Sequence, residues 1–292
     1  MEKKPLVVVN GLVRKDAIAY LKEHVDVRQW TEKTVMPREV LKEWLIDADG
    51  LWCVRPLDVD GDLVKNAPNL KVIAQAAVGY DNVNIDELTV AGIPYGNTPG
   101  VLNETVAELA FTLIATASRR IIENANFVKD GRWAQRPSNI KGFDLSRRTL
   151  GIIGMGAIGV SISRRARAFG MTVVYHNRNQ RLDDKIHKTT YMELDDLLAI
   201  SDVVCVMAPL TDETYHMCDE AFFKKMKNTA LFVNVGRGPI VDTDALINAL
   251  KTGEIDYAAL DVTDPEPLPA DHPLLDVENC LIVPHIGSRS EE

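Results

Sequence analysis

The stretch Leu150-Gly151-Ile152-Ile153-Gly154-Met155-Gly156-Ala157-Ile158-Gly159 decides the fold of this 292-residue chain. An apolar run ends at Gly154, and the spacing Gly154-x-Gly156-x-x-Gly159 leads into Val160 to Phe169, where apolar residues alternate with Arg164, Arg165 and Arg167 at helical intervals. That pattern predicts a strand, a tight glycine turn and a helix. The three glycines have positional reasons: one permits a turn that most side chains forbid, one lets backbone approach a pyrophosphate, and one lets helix and strand pack closely. The unbonded N–H groups and positive dipole end of the helix then face phosphate. A second strand, Met171 to Tyr175, closes the unit, which is expected to bind a dinucleotide.

The end of that second strand points to the type of dinucleotide. An NAD site places a carboxylate about twenty residues past the glycines, where it binds the ribose and repels a 2′-phosphate. Here the chain reads Tyr175-His176-Asn177-Arg178-Asn179, with no carboxylate before Asp183. Arg178, with Asn177, Asn179 and His176 beside it, is expected to hold the 2′-phosphate of NADP by charge-assisted hydrogen bonds. NADPH is therefore the expected cofactor, with NAD accepted at lower preference.

Length favours two domains. Lys and Arg total 33 against 42 Asp and Glu, a net charge of −9, which argues against a general nucleic-acid or anionic-membrane surface. The opening apolar run is too short for a signal peptide and no later segment approaches a membrane span, so the cytoplasm is the expected compartment. Cys53, Cys205, Cys218 and Cys280 lack metal or redox spacing and read as structural thiols; no metal site is expected.

Strands are predicted at Pro5 to Val9, Gly50 to Val54, Leu70 to Gln75 and Ile93 to Tyr95, with helices at Arg14 to Glu23, Val35 to Ile46, Asp60 to Asn66 and Ile85 to Ala91. Asn97-Thr98-Pro99-Gly100 punctuates the chain as a hinge, after which Asn103 is expected to cap a long connecting helix. A loop holding Gly131, Trp133, Pro137 and Gly142 leads to the glycine turn. Four more strands come later, at Asp202 to Met207, Ala230 to Asn234, Tyr257 to Asp261 and Cys280 to Val283. Helices at Met192 to Ala199, Asp219 to Met226 and Asp242 to Thr252 separate most of them, so this half reads as a doubly wound sheet of about six strands.

Ligands of such sheets bind at the carboxyl ends of the strands. Polar residues recur there: Pro209 and Thr214, Gly236-Arg237-Gly238, Asp261 with Glu266 beyond it, and His285-Ile286-Gly287-Ser288. Reducing a carbonyl beside a carboxylate needs a cation for the anion, a proton donor for the oxygen, and a group that keeps the donor charged. Arg237, His285 and Glu266 are those three types.

The chain resembles the D-isomer-specific 2-hydroxyacid dehydrogenases, and within them the glyoxylate/hydroxypyruvate and 2-ketogluconate reductases. The resemblance is carried by Ala77-Val78-Gly79-Tyr80-Asp81, Asn97 to Leu102 through Ala107-Glu108-Leu109, the glycine turn, Asn234 to Gly238, Leu260 to Leu268 and Val283 to Ser288. It implies two doubly wound α/β domains: a flavodoxin-like substrate domain over residues 1–98 and a Rossmann cofactor domain over 99–286. Residues 287–292 would begin a return to the first domain, whose usual C-terminal helix lies past the end of this sequence. It further implies that Arg237 binds a 2-oxo acid, His285 is the acid/base and Glu266 orients it, while the amides around Val78 and Gly79 hold the substrate carboxylate and Ser288 lies close by. Asp261, Gly287 and Thr105 are expected near the cofactor, Pro209, Thr214, Val235 and Gly236 along its path, and Ala157 and Ile158 over the pyrophosphate. A homodimer formed through the long helix and the Trp133 loop is also implied. The alternatives are other dehydrogenases of the family, such as a 2-ketogluconate reductase, and a dinucleotide-sensing scaffold like the C-terminal-binding-protein corepressors.

Overall fold

The computed structural model describes residues 3–55 and 57–290. The chain forms two compact units, Met1–Val101 and Leu102–Glu292.

In the first unit the elements run β1 (Leu6–Val9), α1 (Lys15–His24), β2 (Asp26–Gln29), α2 (Arg38–Leu45), β3 (Gly50–Cys53), α3 (Gly61–Lys65), β4 (Val72–Gln75), α4 (Ile85–Ala91) and β5 (Tyr95–Gly96). The strands are parallel in the order β2-β1-β3-β4-β5, the flavodoxin-like winding expected. Val8, Leu51, Cys53 and Ile73 meet Leu41, Leu45, Leu63 and Leu88 of the helices in one core. Side-chain caps mark two helix starts, Asp60 accepting from the Leu63 N–H at 2.9 Å and Asn84 from the Glu87 N–H at 3.1 Å. β2 replaces what reads as a turn in the sequence. Its four residues include one apolar side chain, Val27, and it forms because β1 offers an open edge in the register Leu6↔Asp26 to Val9↔Gln29.

The second unit begins with α5 (Asn103–Ser118) and α6 (Ile121–Lys129), then β6 (Thr149–Ile153), α7 (Ala157–Ala168), β7 (Thr172–His176), α8 (Asp184–His187), β8 (Thr190–Tyr191) and α9 (Leu194–Ile200). It continues with β9 (Val203–Val206), α10 (Glu220–Lys225), β10 (Leu231–Asn234), α11 (Thr243–Thr252), β11 (Tyr257–Leu260) and β12 (Cys280–Ile282). These make a seven-stranded sheet, β12-β11-β10-β9-β6-β7-β8, whose winding reverses between β6 and β9. Every residue of β9, β10 and β11 is buried, as strands covered on both faces require. The seventh strand, β8, is two residues long and was beyond reach of a period-2 pattern. α6 falls in a stretch, Ile121–Lys129, to which the sequence assigns no element.

Two expectations about helix starts need correction. Asn103 does not cap α5: it is the first helical residue, Leu102 holds the cap position, and no side chain caps the helix. The first turn is tied down by tertiary contacts instead, Glu104 accepting from the Ser161 hydroxyl at 2.7 Å and from Arg165 at 2.9 Å, both on α7. The helix after the glycine turn begins at Ala157, three residues earlier than the apolar–arginine alternation indicates.

Candidate active site

The register of the second sheet aligns His176, Ile153, Val206, Asn234, Leu260 and Ile282 in one row across β7, β6, β9, β10, β11 and β12. The segments leaving these strand ends therefore emerge along one rim. Gly154 comes directly after β6, Asn177 and Arg178 after β7, and Pro209 and Thr214 lie beyond β9. Val235, Gly236 and Arg237 continue from β10, Asp261 continues from β11, and His285, Gly287 and Ser288 lie beyond β12. The strand reversal at β6 and β9 falls within this rim, where sheets of this winding open a crevice for ligands.

At the glycine turn, Gly154 has φ +98°, and a Cβ there would lie 2.6 Å from the Ala208 backbone nitrogen. A side chain would thus clash with the neighbouring strand's extension as well as strain the backbone. Gly156 is the reverse case, since a Cβ there meets nothing within 4 Å. It faces an open cradle, and no side chain caps α7. The first-turn N–H groups of Ala157, Ile158 and Gly159 have no intrahelical acceptor to turn to. Together with the helix dipole they suit a pyrophosphate, so the residues present fit the dinucleotide that the glycine spacing implies. On the adenosine side, Arg178 and Asn179 are exposed and Asn177 is half-buried. The Asn177 amide oxygen accepts the Met155 N–H at 2.6 Å, so this side chain is committed to the glycine turn. His176 is committed to the fold as well, its Nδ1 pairing with the Met192 carbonyl at 2.9 Å.

His285 Nδ1 meets Glu266 Oε1 at 2.6 Å. The carboxylate raises the imidazole above its ordinary range, and the imidazolium in turn lowers the Glu266 carboxyl. The two shifts agree in sign, as a charged pair requires. Arg237 acts on both, lowering the pKa of each. Asn234, buried at the end of β10, holds the Arg237 turn by accepting the Gly236 N–H at 3.0 Å and donating to the Arg237 carbonyl at 2.9 Å. Asp261 accepts from the N–H groups of Ile286 at 2.6 Å and Gly287 at 3.0 Å. Its carboxyl is raised, by burial first, with those two donors opposing the rise. These bonds fix a backbone that puts His285 at φ +49°, a left-handed conformation uncommon for a side chain of this size. Arg237, Asp261, Glu266 and His285 thus form one electrostatic group, in which Nδ1 of the imidazole is taken by Glu266.

Of the other nominated residues, Val235 and Gly236 are buried, Thr105 is half-buried in the first turn of α5, and Ser288 is exposed. Pro209 is exposed and its carbonyl accepts the Thr214 hydroxyl at 2.7 Å, folding the loop after β9 back on itself.

In the first unit, the loop after β4 carries Val78 and Gly79. Its carbonyls are tied from behind, Val78 by the Asn97 amide at 2.9 Å and Gly79 by the buried Gln75 amide at 2.7 Å. Gln75 is itself paired with Asn82 at 3.2 Å. Each trans peptide turns its N–H opposite to its carbonyl, so the N–H groups of Gly79 and Tyr80 point away from the Asn97 and Gln75 amides.

Sequence reading missed Gln75, Asn82 and Arg181 as supports of these loops. Arg181 alone carries a local signal, the fourth consecutive basic or amide residue past Asn177 with Asp183 two residues on.

The sequence pattern described as "D-isomer specific 2-hydroxyacid dehydrogenase, NAD binding domain" matches residues 111–287. A glyoxylate reductase of Korarchaeum cryptofilum is 42% identical over 292 residues, covering 99% of this chain and 88% of that protein. The crystal structure of a glyoxylate reductase from Paecilomyes thermophila superposes with a TM-score of 0.90 at 31% identity, covering 100% of this chain and 90% of that one. An NADPH-dependent glyoxylate/hydroxypyruvate reductase from Sinorhizobium meliloti, solved with NADP and malonate, gives a TM-score of 0.89 at 29% identity, covering 99% and 88%.

Proposed function

Because this chain belongs to the D-isomer specific 2-hydroxyacid dehydrogenase family, we propose that it reduces small 2-oxo acids, glyoxylate and hydroxypyruvate among them, to D-2-hydroxy acids with NADPH. The observation that carries the reading is the His285–Glu266 pair under the influence of Arg237, on the same sheet rim as the glycine turn. The names of the relatives, glyoxylate reductases at about two-fifths identity, support the substrate class.

When bound, the reduced nicotinamide supplies the hydride. Gly154, Gly156, Ala157, Ile158 and Gly159 hold the pyrophosphate, and Arg178 binds the 2′-phosphate. Protonated His285 gives its Nε2 proton to the carbonyl oxygen as negative charge develops there. Glu266 keeps the ring charged and fixes which nitrogen points outward. Arg237 binds the acid and compensates the oxyanion, an effect worth several kcal/mol where water is excluded. Carboxylate recognition in the first unit is assigned to the N–H groups of Val78 and Gly79. The cytoplasm and a homodimer complete the reading, the latter supported by the exposed apolar side chains Ile121, Ile122, Val128 and Trp133 on α6 and the turn after it.

A panel of 2-oxo acids assayed with NADPH and NADH by loss of nicotinamide absorbance tests the proposal. Turnover of glyoxylate or hydroxypyruvate with a higher kcat/KM for NADPH is expected. No turnover of either acid, or a clear NADH preference, would overturn the corresponding half.

A further inference from the structure

Arg181 has no part in the proposed reaction, yet all three nitrogens of its guanidinium are bonded. Its Nη1 donates to the Met155 carbonyl at 3.0 Å, inside the glycine turn. Nε and Nη2 donate to the two oxygens of Asp183 at 2.8 and 2.7 Å, a parallel fork that only a guanidinium can make. Its backbone N–H donates to the hydroxyl of Tyr175 at 2.8 Å, and Tyr175 is wholly buried in β7. Asp183 is also met by His187 Nε2 at 3.1 Å. Met155, only 1% exposed, therefore has its N–H taken by Asn177 and its C=O taken by Arg181. Both peptide groups flanking the middle of the glycine turn are bonded to the loop after β7.

We propose that Arg181 is a positioning residue for dinucleotide binding: it latches the glycine turn through Met155, with its charge held by Asp183, and does not read the 2′-phosphate. The choice between NADPH and NADH then falls to Arg178, which is exposed and lies within electrostatic reach of the exposed Glu213. A guanidinium forked onto a carboxylate is close to neutral as a unit, so it adds little attraction for a further phosphate. A turn held in its bound shape loses less freedom when the pyrophosphate arrives. The strength of the fork is seen on Asp183, whose carboxyl Arg181 holds down at about 2. The pair thus stays charged throughout the working pH range. The carboxylate nearest the end of β7 is by the same contact withheld from ribose recognition.

This rests on the dinucleotide reading of the glycine turn and predicts a pattern that phosphate recognition would not give. Arg181→Met, Arg181→Lys and Arg178→Met enzymes are titrated with NADPH and with NADH by tryptophan fluorescence, with steady-state kinetics on glyoxylate and thermal melts alongside. Arg181→Met should weaken NADPH and NADH together, each roughly tenfold, with the loss falling on cofactor KM rather than on kcat. The Tm without cofactor should stay within a few degrees of wild type. Arg181→Lys, able to make one bond to Met155 but no fork, should fall between. A loss confined to NADPH in Arg181→Met overturns the proposal by making Arg181 a phosphate ligand, and unchanged affinities for both overturn it as well. If Arg181→Met fails to fold, the Arg181→Lys values decide by the same criteria. Arg178→Met tests the other reading separately: an unchanged NADPH-to-NADH ratio there would sink the NADP assignment, while an equal loss of both in Arg181→Met would still support the latch.

Discussion

His285 and Glu266 are each about two-fifths exposed, at 46% and 41% of their side chains, so solvent screens the pair and its importance is to chemistry more than to stability. The raised imidazole is charged below its folded pKa and neutral above it, so reduction should fade on that alkaline limb. Any stability the pair adds is lost along the same limb, and on the acid side it disappears as pH falls through the lowered Glu266 value. Replacing Glu266 with Gln removes the first cause of the upward shift, and the alkaline limb of kcat/KM for glyoxylate reduction should move to lower pH. A pH profile that superposes on the wild type's would refute the orienting role. His285→Ala should lower kcat by roughly 10²–10⁴ while leaving NADPH affinity near wild type. Near-normal turnover would end its assignment as proton donor. Both residues could be nominated from residue type and strand position; the 2.6 Å contact joining them across 19 residues of chain could not.

Among the elements, two short turns set the site. Gly238 comes directly after Arg237, and a Cβ on it would sit 1.8 Å from the Thr263 carbonyl oxygen, which belongs to the loop leading to Glu266. A Gly238→Ala enzyme must therefore push the two catalytic loops apart. Its KM for glyoxylate should rise several-fold or more with NADPH affinity less affected, and overpacking should lower stability by about 1–3 kcal/mol. Equal KM and Tm would show that the two loops are slack where they meet. The start of α11 is set by its cap. Asp242 accepts the Ala245 N–H at 3.1 Å, so Asp242→Ala should cost about 1 kcal/mol in denaturant unfolding. The start of α11 was legible as Asp242 in the sequence, because an Asp before an apolar-periodic run carries its own reason. The start of α5 was not, because Glu104 finds its partners on α7, 57 and 61 residues away.

For the molecule, the two units have separate cores, one around Leu41, Leu51 and Ile73, the other on both faces of β6, β9 and β10. Cofactor binding alone should therefore be felt unequally. Hydrogen exchange with saturating NADPH and no 2-oxo acid should slow amides of residues 154–181 and the loop after β9, with the amides of β1 and β3 changed little. A ligand at a hundred times its Kd stabilises the state that binds it by about 2.7 kcal/mol, enough to register as a higher Tm for the second unit. Protection centred on the first unit instead would place the dinucleotide elsewhere.

The strand–turn–helix at residues 150–169, the alternation that yields parallel sheets and the residue types at each strand end are all written in the chain. Those features are encoded locally, in periodicity and in glycines that only one backbone shape explains. β2 and β8 are not written there, because they exist only where a neighbouring edge accepts them. Folding alone brings six strand ends into one row and grips Met155 between Asn177 on one side and Arg181 on the other. Register and long-range hydrogen bonds arise from the packing of segments that are distant in the chain, and no window of sequence contains both partners.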